Sequence, residues 1–144
     1  MSTDQADRTR TGTIAGFDHV ALPMEHTEAM IAFYRSLGLP LTESPHLVQV
    51  YLGSQMINFH RPELWQRDFS LRAPAARPPC GDFCLVWDGS EDSLRELLDR
   101  AGIEIEEGPV AREGGRQAAG SSVYVRDPDG NLVEFMTYLE EHSP

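Results

Sequence analysis

The sequence repeats one pattern of secondary structure twice, and this repeat constrains the fold more than any other feature. Each half has a short stretch of strand-forming residues, then apolar residues at helical spacing, then a hydrophobic exit and two further strand-like stretches. The first strands are FDHVALP and GDFCLVW, and the last strands are QMINFH and NLVEFMTY. The sequence therefore predicts an α+β fold of two paired β-α-β-β-β modules.

The length of 144 residues corresponds to one domain made of these two halves. We assign residues 16–60 to the first module and residues 81–138 to the second. Residues 61–80 form a connector that is rich in proline and arginine. Residues 1–15 are polar and aperiodic, so we expect a disordered lead-in, and we expect residues 139–144 to fray.

The charge and composition of the chain limit its partners and its location. A formal net charge of −11 argues against nucleic acid or an anionic membrane as the main partner. Because no apolar run reaches membrane-spanning length and the start does not resemble a signal peptide, we expect a cytoplasmic protein. Two cysteines without a second pair make a poor zinc site, so Cys80 and Cys84 are predicted to be reduced, with Cys84 in a strand core.

Polar residues interrupt several of the predicted strands, namely His19, Asn58, His60, Asp82 and Glu134. Glu134 lies in the apolar stretch NLVEFM, where a carboxylate is costly unless it is paired, protonated or bound to a metal. His19 and Asp82 occupy equivalent positions of the two halves, as do Asn58 and Glu134. If the two sheets curve around one cavity, this mixture of imidazole and carboxylate predicts a site for a divalent first-row metal. Each residue alone could instead be an ordinary core, turn or surface residue.

The motifs DHVAL, AFYRSLGL and VYVRDPDGNLVEFM resemble those of the vicinal oxygen chelate superfamily, which includes glyoxalase I, extradiol dioxygenases, fosfomycin-resistance enzymes and bleomycin-resistance proteins. The resemblance spans Phe17 to Tyr138, and INFH resembles the glyoxalase-like branch of virulence proteins. It implies a curved, open sheet around a metal cavity, often completed by a second subunit, so we expect a homodimer. It also implies ligands at His19 and Glu134, while iron, manganese, nickel and zinc all remain open as the metal.

Two positions depart from the pattern of the family. Asn58 stands where glyoxalase I carries glutamate or glutamine, and Asp82 stands where many members carry histidine. Glyoxalase I chemistry needs a carboxylate base, which would here be Asp82 or Glu134, and Asn58 becomes a candidate substrate contact. An extradiol dioxygenase would need a third ligand beside His19 and Glu134, and His60 would have to supply it.

Three further residues are candidates for substrate binding or proton transfer. Tyr124 precedes Glu134 by ten residues, as an active-site tyrosine does in extradiol enzymes, although cross-strand packing is the alternative role. Arg112 lies in the glycine-rich stretch AREGGRQAAG, which we expect to be a flexible loop that anchors an anionic substrate or merely carries solvated charge. Trp65, together with Phe69, could line an apolar pocket or attach the connector to the core.

These observations predict a glyoxalase-like lyase or an extradiol-type dioxygenase, in which a divalent metal activates a small oxygenated substrate. The ligands would be His19 and Glu134, completed by His60 or Asp82. One alternative is a metal-free protein that binds and sequesters a small molecule, as bleomycin-resistance members do. Another is a catalytically silent member whose polar residues only form hydrogen bonds with one another.

Overall fold

The computed structural model describes residues 11–67 and 71–139, and its elements follow the predicted repeat. The first module contains β1 (His19–Pro23), α1 (Thr27–Ser36), β2 (Leu41–Glu43), β3 (Leu47–Leu52) and β4 (Gln55–His60). A short helix, α2 (Pro62–Trp65), lies in the connector. The second module contains β5 (Asp82–Val86), α3 (Glu91–Ala101), β6 (Glu107–Glu113), β7 (Ala119–Arg126) and β8 (Leu132–Tyr138). The predicted α+β class and the doubled β-α-β-β-β order are confirmed.

Some sequence-based expectations fall on parts of the chain that lie outside the described residues. These are the greater part of the expected disordered lead-in (residues 1–10), the connector residue Phe69, and most of the expected frayed tail (residues 140–144). Within the described ranges, no helix is both long enough and apolar enough to cross a membrane.

Each module forms its own four-stranded sheet, with the order β1-β4-β3-β2 in sheet A and β5-β8-β7-β6 in sheet B. The first and last strands of each module run parallel, and the remaining neighbours are antiparallel. Ala21 pairs with Asn58 in sheet A, just as Cys84 pairs with Glu134 in sheet B. The register therefore places Asn58 and Glu134 at equivalent positions, as the sequence comparison of the two halves predicted.

Local signals in the sequence explain where α3 begins and ends. The Ser90 hydroxyl oxygen accepts a hydrogen bond of 3.1 Å from the Ser93 backbone N–H, which satisfies one of the free donors at the start of the helix. Gly102 ends the helix in the left-handed conformation, with φ of 71°. Between these ends, Leu94 and Leu98 face the core and are almost fully buried.

One face of each sheet packs into a shared hydrophobic core, and the other face carries the polar residues. In β4, Ile57 and Phe59 are buried, whereas Asn58 between them is only partly covered. In β8, Val133 and Phe135 are buried on either side of Glu134. Since each large apolar side chain contributes about 1.5–3 kcal/mol on full burial, this alternation fixes which face points outward. We call the polar faces the open faces of sheets A and B.

The turn between β7 and β8 attaches the second module to the first. The Tyr34 hydroxyl of α1 donates a hydrogen bond of 2.7 Å to Asp127 Oδ2 in the core. The buried Asp129 carboxylate accepts hydrogen bonds of 2.8 Å from the backbone N–H groups of Glu25 and His26, just before α1. These contacts hold the modules in a fixed arrangement, so the open faces keep a fixed position relative to each other.

Candidate functional site

The predicted strand residues all lie on the open faces. Strand alternation and register place His19, Asn58 and His60 on the open face of sheet A. The same reasoning places Asp82, Cys84, Tyr124 and Glu134 on the open face of sheet B. Cys84 is therefore exposed, and the expectation that it lies in a strand core was wrong. The candidate site consists of these two faces.

Glu134 accepts a hydrogen bond from one neighbouring strand and lies beside a thiol on the other. The Ser122 hydroxyl in β7 donates a hydrogen bond of 2.6 Å to Glu134 Oε2. On the other side, Cys84 of β5 is the cross-strand partner of Glu134, and its thiol donates a weak hydrogen bond of 3.8 Å to the backbone oxygen of Leu85. Partial burial of this thiol raises the pKa of Cys84 to about 12, and the negative charge of Glu134 adds to the effect. Cys84 is therefore a protonated thiol at neutral pH.

The phenol of Tyr124 lies beside Glu134 and is held by an arginine. Tyr124 is directly opposite Glu134 in the β7-β8 pair. Arg112 Nε donates a hydrogen bond of 3.0 Å to the Tyr124 hydroxyl, and its guanidinium carbon lies 5.7 Å from the ring centroid. This hydrogen bond raises the pKa of Arg112. Arg112 belongs to β6 rather than to a flexible loop, so that expectation was wrong: pairing with Gly120 of β7 extends the hairpin through it.

A row of neutral polar side chains crosses the open face of sheet A. Thr42 Oγ1 donates a hydrogen bond of 3.2 Å to Gln49 Oε1, and Gln49 Nε2 donates one of 3.1 Å to Asn58 Oδ1. The three residues lie on β2, β3 and β4 and are direct cross-strand partners. Thr42 also lies 3.0 Å from the hydroxyl of Tyr51. Asn58 is thus the end of a hydrogen-bonded row that the sequence analysis did not identify.

His19 lines a groove between the two modules. Its Nδ1 lies 2.7 Å from Asp18 Oδ1, and 45% of its side chain is exposed. The groove has a volume of ≈ 280 Å³, and His19 shares it with Phe83 and Cys84 of β5. Asp82 is exposed and aligns with Leu132 rather than with Glu134. The module-two residues in the groove of His19 are Phe83, Cys84 and Leu85, and among them only Cys84 is of a metal-ligating type.

His60 and His19 lie at opposite ends of the β1-β4 strand pair. It aligns with Pro23, whereas His19 aligns with Met56, and four residues along β1 correspond to about 13 Å. His60 lines a separate cavity of ≈ 90 Å³ with Trp65 and Arg72. Burial lowers the pKa of His60, and the charge of Arg72 adds to this. The structure therefore does not bring His60 and His19 to one ion.

Trp65 attaches the connector to the first module. The residue is buried, and its indole N–H donates a hydrogen bond of 2.8 Å to the backbone oxygen of Met24. A buried indole needs such a partner, and this bond ties α2 to the end of β1. One edge of Trp65 still reaches the ≈ 90 Å³ cavity beside His60. These contacts favour the anchoring role that the sequence left open.

The residues of one chain do not fit a metal ion by themselves. Among residues 11–67 and 71–139, no group of three or more histidine, cysteine, aspartate or glutamate side chains could hold one. Catalytic zinc sites use three protein ligands and an open position. Asn58 Oδ1 and Glu134 Oε2 already accept hydrogen bonds from protein donors. The described residues of one chain therefore do not complete a metal site.

Comparison with known proteins identifies relatives of the whole folded chain. A family model described as the Glyoxalase/Bleomycin resistance protein/Dioxygenase superfamily matches residues 16–135. The virulence protein STM3117 of Salmonella typhimurium is 36% identical over 127 residues, covering 85% of this chain and 83% of its own. The glyoxalase domain-containing protein RDO1 of Mycosarcoma maydis is 32% identical over 139 residues, covering 94% of this chain and 76% of its own.

Solved structures show the same architecture. The crystal structure of the virulence protein STM3117 superposes with a TM-score of 0.78 at 32% identity, covering 88% of this chain and 99% of the other. A lactoylglutathione lyase from Agrobacterium tumefaciens gives a TM-score of 0.66 at 26% identity, covering 86% and 94% of the two chains. These matches confirm the resemblance that the motifs indicated, including its virulence-protein branch.

Proposed function

This chain belongs to the Glyoxalase/Bleomycin resistance protein/Dioxygenase superfamily, and we propose that it is a metal-dependent enzyme acting on a small oxygenated molecule. The observation that carries the proposal is a group on sheet B: Tyr124 is the cross-strand partner of Glu134, and its phenol accepts a hydrogen bond from the Arg112 guanidinium. A carboxylate next to a positioned phenol is suited to proton transfer at a bound substrate.

The hydrogen bond between Arg112 and Tyr124 supports a separate role for each group. Because Arg112 Nε donates to the phenolic oxygen, the hydroxyl hydrogen remains available to a substrate atom. Tyr124 would donate this proton, and Glu134 would accept one from the substrate. The exposed guanidinium of Arg112 would bind an anionic group, since its fork of donors suits carboxylate or phosphate oxygens.

A metal in this proposal takes ligands from two copies of the chain. His19 and Glu134 are ligands of the right type, and a second protomer would supply the groups that one chain does not bring together. Such an ion would polarise a substrate oxygen as a Lewis acid. Exposed apolar residues beside the groove, Phe17 at 79% and Val86 at 52%, support a covering protomer. We therefore propose a homodimer as the active form.

Metal content and mass in solution test this proposal together. Untagged protein purified without chelator is analysed by inductively coupled plasma mass spectrometry and by light scattering, beside His19→Ala and Glu134→Gln. His46→Ala is the matched control because His46 is exposed and far along the sequence from the proposed ligands. We expect dimers with near-stoichiometric metal in the wild type and control, and metal loss in the other two. A wild type that stays empty after iron, manganese, nickel and zinc are offered contradicts the proposal.

A second candidate function is metal-free binding of a small molecule. It is favoured by one observation: Glu134 and Asn58 already have protein hydrogen-bond donors that offset their polarity. In this case catechols or thiol adducts of α-ketoaldehydes would raise the melting temperature of metal-free protein without being converted. The enzyme proposal instead expects turnover of one of these compounds only after metal is added.

A further inference from the structure

We propose that Gln49 is a positioning residue that turns the Asn58 side-chain amide so that its N–H groups, not its carbonyl oxygen, face a bound ligand. The orientation itself is a property of the free protein, whereas its use in ligand recognition rests on the proposed function. Gln49 lies on β3, between Thr42 on β2 and Asn58 on β4.

The direction of the hydrogen bonds along this row carries the inference. The Thr42 hydroxyl donates to Gln49 Oε1, so the amide nitrogen of Gln49 is directed towards Asn58. That nitrogen donates to Asn58 Oδ1 at 3.1 Å. An amide side chain has one oxygen and one nitrogen, so fixing the oxygen of Asn58 towards β3 turns its two N–H donors the other way.

The neighbour on the other side leaves these donors available to a ligand. The partner of Asn58 on β1 is Ala21, whose methyl group accepts no hydrogen bond and fills little space. At the equivalent place in sheet B, Glu134 has Cys84 as its partner on β5, which presents a thiol where sheet A presents a methyl group. The two modules thus differ at equivalent positions. In sheet A, the Asn58 amide presents N–H donors beside the small residue Ala21, and in sheet B, Glu134 presents a carboxylate, which accepts hydrogen bonds.

This difference identifies the chemical class of group that Asn58 recognises. N–H donors bind an acceptor oxygen, such as a carbonyl, carboxylate or phosphate oxygen, and do not bind a metal ion. Asn58 would therefore contact the substrate directly and would not complete a metal site. A metal ligand at this position would require the carbonyl oxygen, which the Gln49 amide occupies.

Nuclear magnetic resonance on the free protein measures this orientation directly. The side-chain amide signals of Asn58 are assigned in ¹⁵N-labelled protein by their loss in Asn58→Asp. We expect nuclear Overhauser effects from the Asn58 amide protons to the Ala21 methyl group, and from the Gln49 amide protons to the Asn58 β-protons. Asn58 amide protons that contact the Gln49 side chain and not Ala21 would overturn the proposal.

Gln49→Glu tests whether Gln49 causes the orientation of the Asn58 side-chain amide. A carboxylate only accepts, so it would attract the Asn58 N–H groups, and the contact with Ala21 should disappear at pH 7. On protonation at low pH the carboxyl group can again donate, and the contact should return. Gln66→Glu, an exposed change of equal charge after α2, is the control and should keep the contact at all pH values. A contact that persists in Gln49→Glu at pH 7 would contradict the positioning role.

A second variant covers the case in which Gln49→Glu does not fold. Thr42→Val removes the donor that orients Gln49, so the contact between Asn58 and Ala21 should weaken at least twofold. An unchanged contact in this variant would also argue against the proposal. These measurements need neither metal nor substrate. A result that contradicts the positioning role of Gln49 is therefore distinct from a result that contradicts the proposed enzyme function.

Discussion

The hydroxyl of Ser122 on β7 lies 2.6 Å from Glu134 Oε2 on the neighbouring strand β8. Ser122 is fully buried, so this hydrogen bond forms away from bulk water. It helps to account for a carboxylate inside the stretch NLVEFM, since a partly covered carboxylate needs a donor. A partner in the neighbouring strand stabilises Glu134 even without a bound ion.

Replacing Ser122 by alanine should destabilise the protein. A hydrogen bond to a charged group contributes about 1.5–3 kcal/mol, so we expect a loss of that order in the free energy of unfolding in urea. Ser121→Ala is the matched control, because the Ser121 hydroxyl contacts Glu91 at an exposed position and should cost under about 0.5 kcal/mol. Equal losses in the two variants would show that Ser122 does not stabilise a charged Glu134.

The reactivity of Cys84 should depend on Glu134. In a Cys80→Ser background, a pKa of about 12 leaves on the order of one thiol in a thousand as thiolate at pH 9, so alkylation should be slow. Glu134→Gln removes the charge that helps to raise the pKa, and alkylation at pH 9 should become several-fold faster. Glu104→Gln, on an exposed segment before β6, should leave the rate unchanged. Equal rates in the Cys80→Ser background and in its Glu134→Gln variant would contradict the contact.

The Asp129 side chain is fully buried at the junction between the modules. Asp129→Ala would leave the backbone N–H groups of Glu25 and His26 without their acceptors. We expect a loss of about 2–3 kcal/mol in the free energy of unfolding, measured in urea. Asp88→Ala, at an exposed position two residues after β5, is the control. A loss below about 0.5 kcal/mol in Asp129→Ala would show that the turn does not hold the modules together.

Local sequence rules predicted the fold well because the signals that they use lie within single elements. No knowledge of distant residues is needed to recognise the apolar spacing of α1 and α3, the cap at Ser90 or the helix end at Gly102. The equivalence of Asn58 and Glu134 followed from the internal repeat and is confirmed by the strand register. These features could be derived from the sequence alone.

The faces and partners of individual strand residues could not be derived in the same way. The stretch GDFCLVW is apolar at most positions, so the alternation of polar and apolar residues does not show which face Cys84 lies on. Its pairing with Glu134 of β8 places Cys84 on the open face. The glycines after Arg112 lie in the turn between β6 and β7, but pairing with Gly120 of β7 places Arg112 itself in strand β6. Ser122 carried a usable signal, because it lies two residues before Tyr124 and so on the same face.

The buried hydroxyl of Tyr34 should make the stability of the protein depend on alkaline pH. Burial raises the pKa of Tyr34 well above 10.0, and the charge of Asp127 adds to this effect. Above pH 10 the unfolded chain loses this proton while the folded chain retains it, so the free energy of unfolding should fall as pH rises. Tyr34→Phe removes this contribution and also the 2.7 Å hydrogen bond to Asp127.

We therefore expect Tyr34→Phe to be less stable than the wild type by about 1.5–3 kcal/mol at pH 7, because Asp127 loses a donor. Between pH 10 and pH 11 the difference should narrow, because only the wild type loses stability through Tyr34. Tyr51→Phe is the control, since Tyr51 lies on the open face, where its hydroxyl contacts only Thr42 among the described residues. A constant difference between Tyr34→Phe and the wild type across this range, measured by urea unfolding, would contradict a raised pKa for Tyr34.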